Sequence, residues 1–250
     1  MSETQGKGAV IMMDALGFKE YARGKPANQI LEFMEGAFEL AETYVPETVT
    51  VTFLSDTVIF ASCGAEATGF QSAVDSIENV CTAAAKFLYA MADLSQSRAT
   101  SSSDVLNFRG ALSYGEVAIR KTFLVGAAIN EAAALHETAD GAFIFAGPSV
   151  IQLLASIASE GGTANPRRKE ITPPSLRALL RNYDVPLADG KSFETLVLNP
   201  LSIISGKSKR EAEKWIENSM SAFRSSDLRV MIKATNTERF LEQMLDKVFS

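Results

Sequence analysis

Two aspartates occupy positions where acids can work together. The apolar run Ala9-Val10-Ile11-Met12-Met13 stops at Asp14, and two β-branched runs, Val49 to Phe53 and Thr57 to Phe60, are separated by Ser55-Asp56. The first run reads as a buried strand and the second pair as a tight hairpin. Antiparallel pairing of these strands would bring both carboxylates to one edge of a sheet. Two hard oxygen donors with room left for water and phosphate are the usual protein share of a magnesium site, so one chemistry open to them is divalent-metal work on phosphates. The other reading is structural: Asp14 caps a helix starting near Phe18, and Asp56 fills a turn.

Few other side chains compete. The single histidine, His136, excludes any mechanism needing two, and a lone histidine at a helix end reads first as structural. Cys63 and Cys81 are too few for a disulfide framework and fall in no zinc-ligand cluster, so both read as reduced, buried small hydrophobes. With 24 basic against 30 acidic residues, a net charge of −6 and a pI near 5.0, the chain lacks the basic footprint of a nucleic-acid binder. No stretch approaches the ~20 apolar residues of a membrane span, and the polar start Met1 to Gly8 is no signal peptide. A cytoplasmic protein is expected.

The elements that must position the two acids follow from periodicity. Ile30, Phe33, Met34, Ala37, Leu40, Ala41 and Tyr44 predict an amphipathic helix over Ala27 to Val45, ended by Pro46. Phe70, Val74, Ile77, Cys81, Ala84, Leu88 and Met91 predict a long core helix from Ala67 to Leu94, followed by a Ser/Thr-rich loop over Ser95 to Ser103. Val105 to Ser113 and Gly115 to Arg120 read as a second hairpin, turned at Tyr114-Gly115. Gly126 to His136 is an Ala-rich helix carrying Asn130, Ala142 to Phe145 a short strand, and Pro148 to Ala158 a short helix. Gly161 to Pro174, with Arg167-Arg168-Lys169, reads as a solvated surface excursion. Ser192 to Leu198 is the last expected strand, and Pro200 marks a boundary. Two helical patterns, around Trp215 and Phe240, fill the rest. The expectation is an α+β fold with a mainly antiparallel sheet flanked by helices over residues 8–200, and a helical appendage over 201–250.

Four strings in this order carry a resemblance. They are Met13-Asp14-Ala15-Leu16-Gly17-Phe18, Leu54-Ser55-Asp56-Thr57, Arg109 to Leu112 continued by Ser113-Tyr114-Gly115-Glu116-Val117, and Val125-Gly126-Ala127-Ala128-Ile129-Asn130-Glu131-Ala132-Ala133. Together they resemble the class III nucleotidyl cyclase domain, a ferredoxin-like palm fold, over about residues 8–200. The related diguanylate cyclase palm is less similar, because its Gly-Gly-acid-acid-Phe hairpin is absent. The resemblance implies a homodimer with two shared sites that converts a nucleoside triphosphate to a 3′,5′-cyclic nucleotide and pyrophosphate. It implies two Mg²⁺ or Mn²⁺ ions per site, held by Asp14 and Asp56 with the Ala15 carbonyl. Gly17 and Phe18 would offer backbone N–H groups to the phosphates. Asn130 from the partner would orient the ribose, and Lys191 would bind phosphate. Arg109 matches a strand arginine of the family.

The departures matter equally. The transition-state arginine expected four residues after the asparagine falls on Ala134, leaving Arg109, Arg120 and Lys121 as replacements. The base-reading positions fall on Thr52 and Phe123, which match neither the adenylyl nor the guanylyl pattern and cannot read an adenine edge in the usual way. This combination resembles the divergent bacterial branch that makes cyclic pyrimidine nucleotides in the Pycsar anti-phage system, with uridylate favoured and a separate effector reading the product. The alternatives are an adenylate cyclase, and a catalytically degenerate cyclase-like module that binds a nucleotide or a protein.

Overall fold

A computed structural model describes residues 4–63, 69–98, 106–120, 123–160, 171–204, 207–223 and 227–249. The chain begins with β1 (Thr4–Leu16), a short helix α1 (Phe18–Ala22) and the helix α2 (Ala27–Tyr44). The hairpin β2 (Val49–Leu54) and β3 (Thr57–Cys63) follows, then the long helix α3 (Phe70–Arg98). β4 (Asn107–Arg120) is one continuous strand, paired back on itself only by the short β5 (Phe123–Val125). α4 (Ala127–Leu135), β6 (Ile144–Ala146), α5 (Pro148–Glu160), β7 (Leu180–Pro186) and β8 (Ser192–Leu198) complete the sheet and its cover. Two further helices, α6 (Lys209–Met220) and α7 (Leu228–Phe249), end the chain.

The eight strands form one sheet in the order β2-β3-β1-β4-β6-β8-β7, with β5 beside β4. All pairings are antiparallel except β4 with β6. Alternation along β1 divides the core. Ala9, Ile11, Met13 and Ala15 face a cluster built with α2, α3 and α5, whereas Val10 and Met12 pack with Ala128 and Ala132 of α4. Farther along the α4 side, Ala111, Phe145, Val197, Tyr183 and Val185 are covered by Phe240, Leu241 and Met244 of α7 and by Trp215 of α6. The C-terminal helices therefore share one sheet face with α4.

Several expectations shift. The expected turn at Tyr114-Gly115 does not form, because Gly115 and Tyr114 pair in unbroken register with Gly8 and Ala9 of β1, and the neighbouring strand outweighs the local turn signal. The chain instead reverses between Arg120 and Phe123; Lys121 lies outside the described residues. Ser95 to Arg98, expected in a loop, extends α3. The strand expected to start at Ala142 begins at Ile144. β7 went unread because Arg181, Asn182 and Asp184 dilute its alternation. Arg167-Arg168-Lys169 lies outside the described residues.

Candidate active site

Asp14 sits two residues inside the end of β1, paired across to Thr57 on β3 and Arg109 on β4. It lies on the face of Val10 and Met12, the face that α4 covers. Asp56 stands at the tip of the β2–β3 hairpin, a two-residue turn made by Ser55 in the left-handed region at φ 57°. The Ala15 N–H donates to the Asp56 carbonyl at 3.1 Å, locking the hairpin tip against the end of β1. A strand residue turns its N–H and C=O to the same neighbour, so the Ala15 carbonyl also faces the hairpin. The backbones carrying Asp14, Ala15 and Asp56 are thus brought to one end of the sheet.

Asp14 is an expensive group here. Burial pushes its carboxyl above the usual carboxylate range, and Arg109 only partly offsets this. The Arg109 Nε donates to Asp14 Oδ1 at 3.2 Å, with both side chains largely enclosed. A second arm of the guanidinium, Nη1, donates to the Glu137 carbonyl at 2.9 Å. Arg109 therefore ties the acid to the segment that follows α4. His136 closes α4 with its Nδ1 2.8 Å from the Ala133 carbonyl.

The other expected residues fall in distinct places. Gly17 adopts φ 82° and lets the chain turn from β1 into α1, while the Phe18 ring packs on Tyr21 at 5.9 Å rather than standing free. Lys191 is exposed on the β7–β8 turn and paired with Asp189 at 3.0 Å. That turn is bonded to the Arg109 segment through Ala188 N–H to the Thr138 carbonyl at 3.1 Å. Thr52 is half-buried on β2, level with Ile59 and Met12.

Asn130 and Phe123 lie on the outside of the chain, away from Asp14. Ala128 and Ala132 are buried against the sheet, so Asn130, two positions from each, lies on the outer side of α4 and is exposed. Ala134 is exposed one turn further along that side. Phe123, 70% exposed, pairs with Arg120, eleven residues along β4 from Arg109, about 36 Å of extended strand. Sequence reasoning missed what fixes α4. The Ser113 hydroxyl donates to the Ala128 carbonyl at 2.6 Å, and Glu131 accepts from the Ser149 N–H at 3.0 Å. Gly126 precedes the helix at φ 137°, where a Cβ would run into the Glu116 carbonyl. The strand parity of Ser113 and the acid at Glu131 ahead of Pro148 were the available signals.

Two carboxylates and a backbone carbonyl fit a hard divalent ion that keeps water and phosphate in its remaining positions. Among the described residues no group of three or more His, Cys, Asp or Glu side chains gathers, so a zinc-type cage does not form. No helix among them is long and apolar enough to cross a membrane.

No protein-family model matches this sequence. No curated protein matches it either. Solved structures do. The non-canonical dimeric guanylyl cyclase domain of a RhoGC fusion protein from the aquatic fungus Blastocladiella emersonii superposes with a TM-score of 0.50 at 13% identity, covering 79% of this chain and 97% of that one. The adenylyl cyclase CyaB from P. aeruginosa gives a TM-score of 0.49 at 15% identity, covering 79% and 94%. Over that 79% of its length the chain has the fold of a nucleotidyl cyclase domain.

Proposed function

We propose that this chain is a metal-dependent nucleotidyl cyclase acting on a nucleoside triphosphate, with UTP as the favoured substrate. The observation that carries the reading is the meeting of the Asp14 and Asp56 backbones at one sheet end in a cyclase fold, because fold alone assigns no activity. In the reaction the ribose 3′-oxygen loses its proton and attacks the α-phosphorus in line. The new oxygen–phosphorus bond forms as the bond to the bridging oxygen breaks, and pyrophosphate leaves. Divalent ions, when bound, ease deprotonation of the hydroxyl and spread the phosphate charge. Asp14, Asp56 and the Ala15 carbonyl would hold them, and Lys191 would meet the terminal phosphates.

Asn130, free on the outer side of α4, would orient the ribose of a nucleotide held by a second copy of the chain. Its exposure supports a homodimer with composite sites, as does the exposure of Phe123 and Val125 on the β5 arm. Pyrimidine preference is supported by Thr52 and Phe123, which offer neither the lysine and carboxylate pair that reads an adenine edge nor the acid and small polar residue of the guanylyl pattern. The product would act as a second messenger read by a separate effector in anti-phage defence, a role that follows from the resemblance of the motifs. Ala134 favours a second reading, a nucleotide-binding module without turnover, because no charge stands one turn from Asn130.

The test is incubation of the purified chain with ATP, GTP, CTP and UTP separately, with Mn²⁺ or Mg²⁺, and mass analysis of the products. Cyclic UMP that disappears in Asp56→Ala supports the proposal. Cyclic AMP keeps the reaction and overturns the base assignment. No product from any triphosphate favours the binding module.

A further inference from the structure

The segment between α4 and β6 is the place where Arg109 is anchored, and α7 holds that segment from the other side. The Ala142 N–H donates to the Thr237 hydroxyl at 2.9 Å, and Thr237 is 1% exposed. That hydroxyl donates to the Lys233 carbonyl one turn back at 2.7 Å, so its lone pair is fixed toward Ala142. The neighbouring Asn236 donates from Nδ2 to the Asp140 carbonyl at 2.8 Å. Two adjacent side chains of one helix thus bond the backbone of two residues in a segment that is also held by the β7–β8 hairpin, through Asp140 N–H to the Pro186 carbonyl and Ala188 N–H to the Thr138 carbonyl, and by the end of α4, where the Thr138 N–H and hydroxyl both donate to the Leu135 carbonyl. A cavity of about 30 Å³, lined by Asn107, Ala142, Ser219, Thr237 and Leu241, lies at this joint.

We propose that α7 is a positioning element of the active site: Thr237 and Asn236 set the 137–142 segment, the Glu137 carbonyl sets the Arg109 guanidinium, and Arg109 sets the Asp14 carboxylate. The metal part of this statement rests on the reading given under Proposed function. The coupling is local and has a physical cause at each link. A half-buried N–H left without its acceptor pulls its segment toward any other partner, and the void beside Ala142 gives the segment room to move. Displacing the Glu137 carbonyl removes one of the two anchors that orient the guanidinium fork, and an unanchored Arg109 no longer holds Asp14 in one rotamer. Thr237 and Asn236 act through other residues and touch no reacting atom.

The experiment compares the full-length chain with Thr237→Val, Thr237→Ser, Asn236→Ala and Ser208→Ala. Ser208→Ala is the control for lost stability, since it removes the hydroxyl that accepts from the Glu211 N–H and donates to the Glu211 carboxylate at the start of α6, and touches nothing near Arg109. Two readouts are taken: Mn²⁺ affinity by electron paramagnetic resonance, and the Arg109 Nε–H signal in the nitrogen-15 spectrum, identified by its loss in Arg109→Lys. Thr237→Val should weaken Mn²⁺ binding by up to about tenfold, the cost of losing an outer partner of a metal ligand such as Arg109 itself, and shift or broaden the Arg109 signal. Asn236→Ala should do the same to a lesser degree, Thr237→Ser should restore both, and Ser208→Ala should leave both unchanged. An Arg109 signal unmoved by Thr237→Val, or moved equally by Ser208→Ala, overturns the proposal. If the unaltered chain binds no Mn²⁺, the metal reading fails, and the Arg109 signal alone decides whether α7 holds the segment.

Discussion

If Asn130 serves a nucleotide held by the partner's aspartates, two inactive variants can repair one another. In a chain bearing Asp56→Ala the hairpin acid is lost and Asn130 is intact; in a chain bearing Asn130→Ala the reverse holds. A two-fold dimer of one of each contains one site with both defects and one site with neither. Random mixing of equal amounts makes about half the dimers mixed, so about one quarter of all sites are intact. The mixture should recover about 25% of wild-type turnover from two preparations that have almost none, provided the dimers are dissociated and reassembled together. The structural basis is that Asn130 lies on the outer side of α4 while Ala128 and Ala132 face the sheet, which puts the helix between the carboxamide and Asp14 of the same chain. The assay is cyclic-nucleotide production at fixed total protein. Turnover of the mixture equal to the mean of the two variants, with mixed dimers verified by native mass spectrometry, would refute the composite site and require α4 to rotate within one chain.

Asp14→Asn separates chemistry from stability. The folded-state pKa of Asp14 is raised, so between the unfolded and folded values the native chain binds the extra proton; its contribution is fully present below the unfolded pKa and lost as pH rises through the folded one. Ionised Asp14 therefore costs stability at neutral pH. Asn keeps an acceptor for Arg109 Nε, so thermal unfolding at pH 7 should occur at an equal or higher temperature while turnover falls about a hundredfold or more; a drop of several degrees would make Asp14 a structural anchor. Gly126→Ala forces a side chain into φ 137° and against the Glu116 carbonyl, which should cost about 2–3 kcal/mol and lower the melting temperature by roughly 5–10 °C, read by circular dichroism. Trp215→Ala removes a ring that is 6% exposed, stacked on Tyr89 at 5.9 Å, and should cost about 3–5 kcal/mol. A single cooperative transition moved downward is expected in calorimetry, whereas an early separate transition would show that α6 and α7 melt apart from the sheet.

What could be read in advance was whatever one strand or one helix encodes by itself. The apolar run ending at Asp14, the β-branched hairpin around Asp56 and the 3.6-residue spacing of α2 and α3 report their own burial, and each formed within a few residues of its expected bounds. Tyr114-Gly115 misled because a glycine beside an aromatic signals a turn locally, whereas here Gly115 lies beside Ala127 and Ala128 and lets α4 pack close on β4. β7 was missed for the converse reason. Its inward residues Tyr183 and Val185 alternate with the exposed Asn182 and Asp184, and its burial comes from Phe240 on a helix more than fifty residues away.

The candidate site shows the same division more sharply. The aspartates were legible because a strand end is a local event. The bond from Arg109 to Asp14 was not, because it exists only through a register that places residue 109 opposite residue 14 across β1 and β4. That register follows from thirteen consecutive pairs that share the Gly8–Gly115 approach, a collective property of two strands some ninety residues apart. The same register puts Arg109 in contact with the acid, leaving it less free to serve as the replacement for an arginine at Ala134. Arg120, exposed at the far end of β4 beside Phe123, makes no ion pair among the described residues and stands on the arm that would reach a partner's nucleotide. Arg120→Ala should therefore lower the maximal rate with little change in Mn²⁺ affinity, whereas Arg109→Ala should weaken Mn²⁺ binding first. Steady-state kinetics with Mn²⁺ titrations on both variants distinguishes the two arginines, and the opposite pattern would return the transition-state role to Arg109.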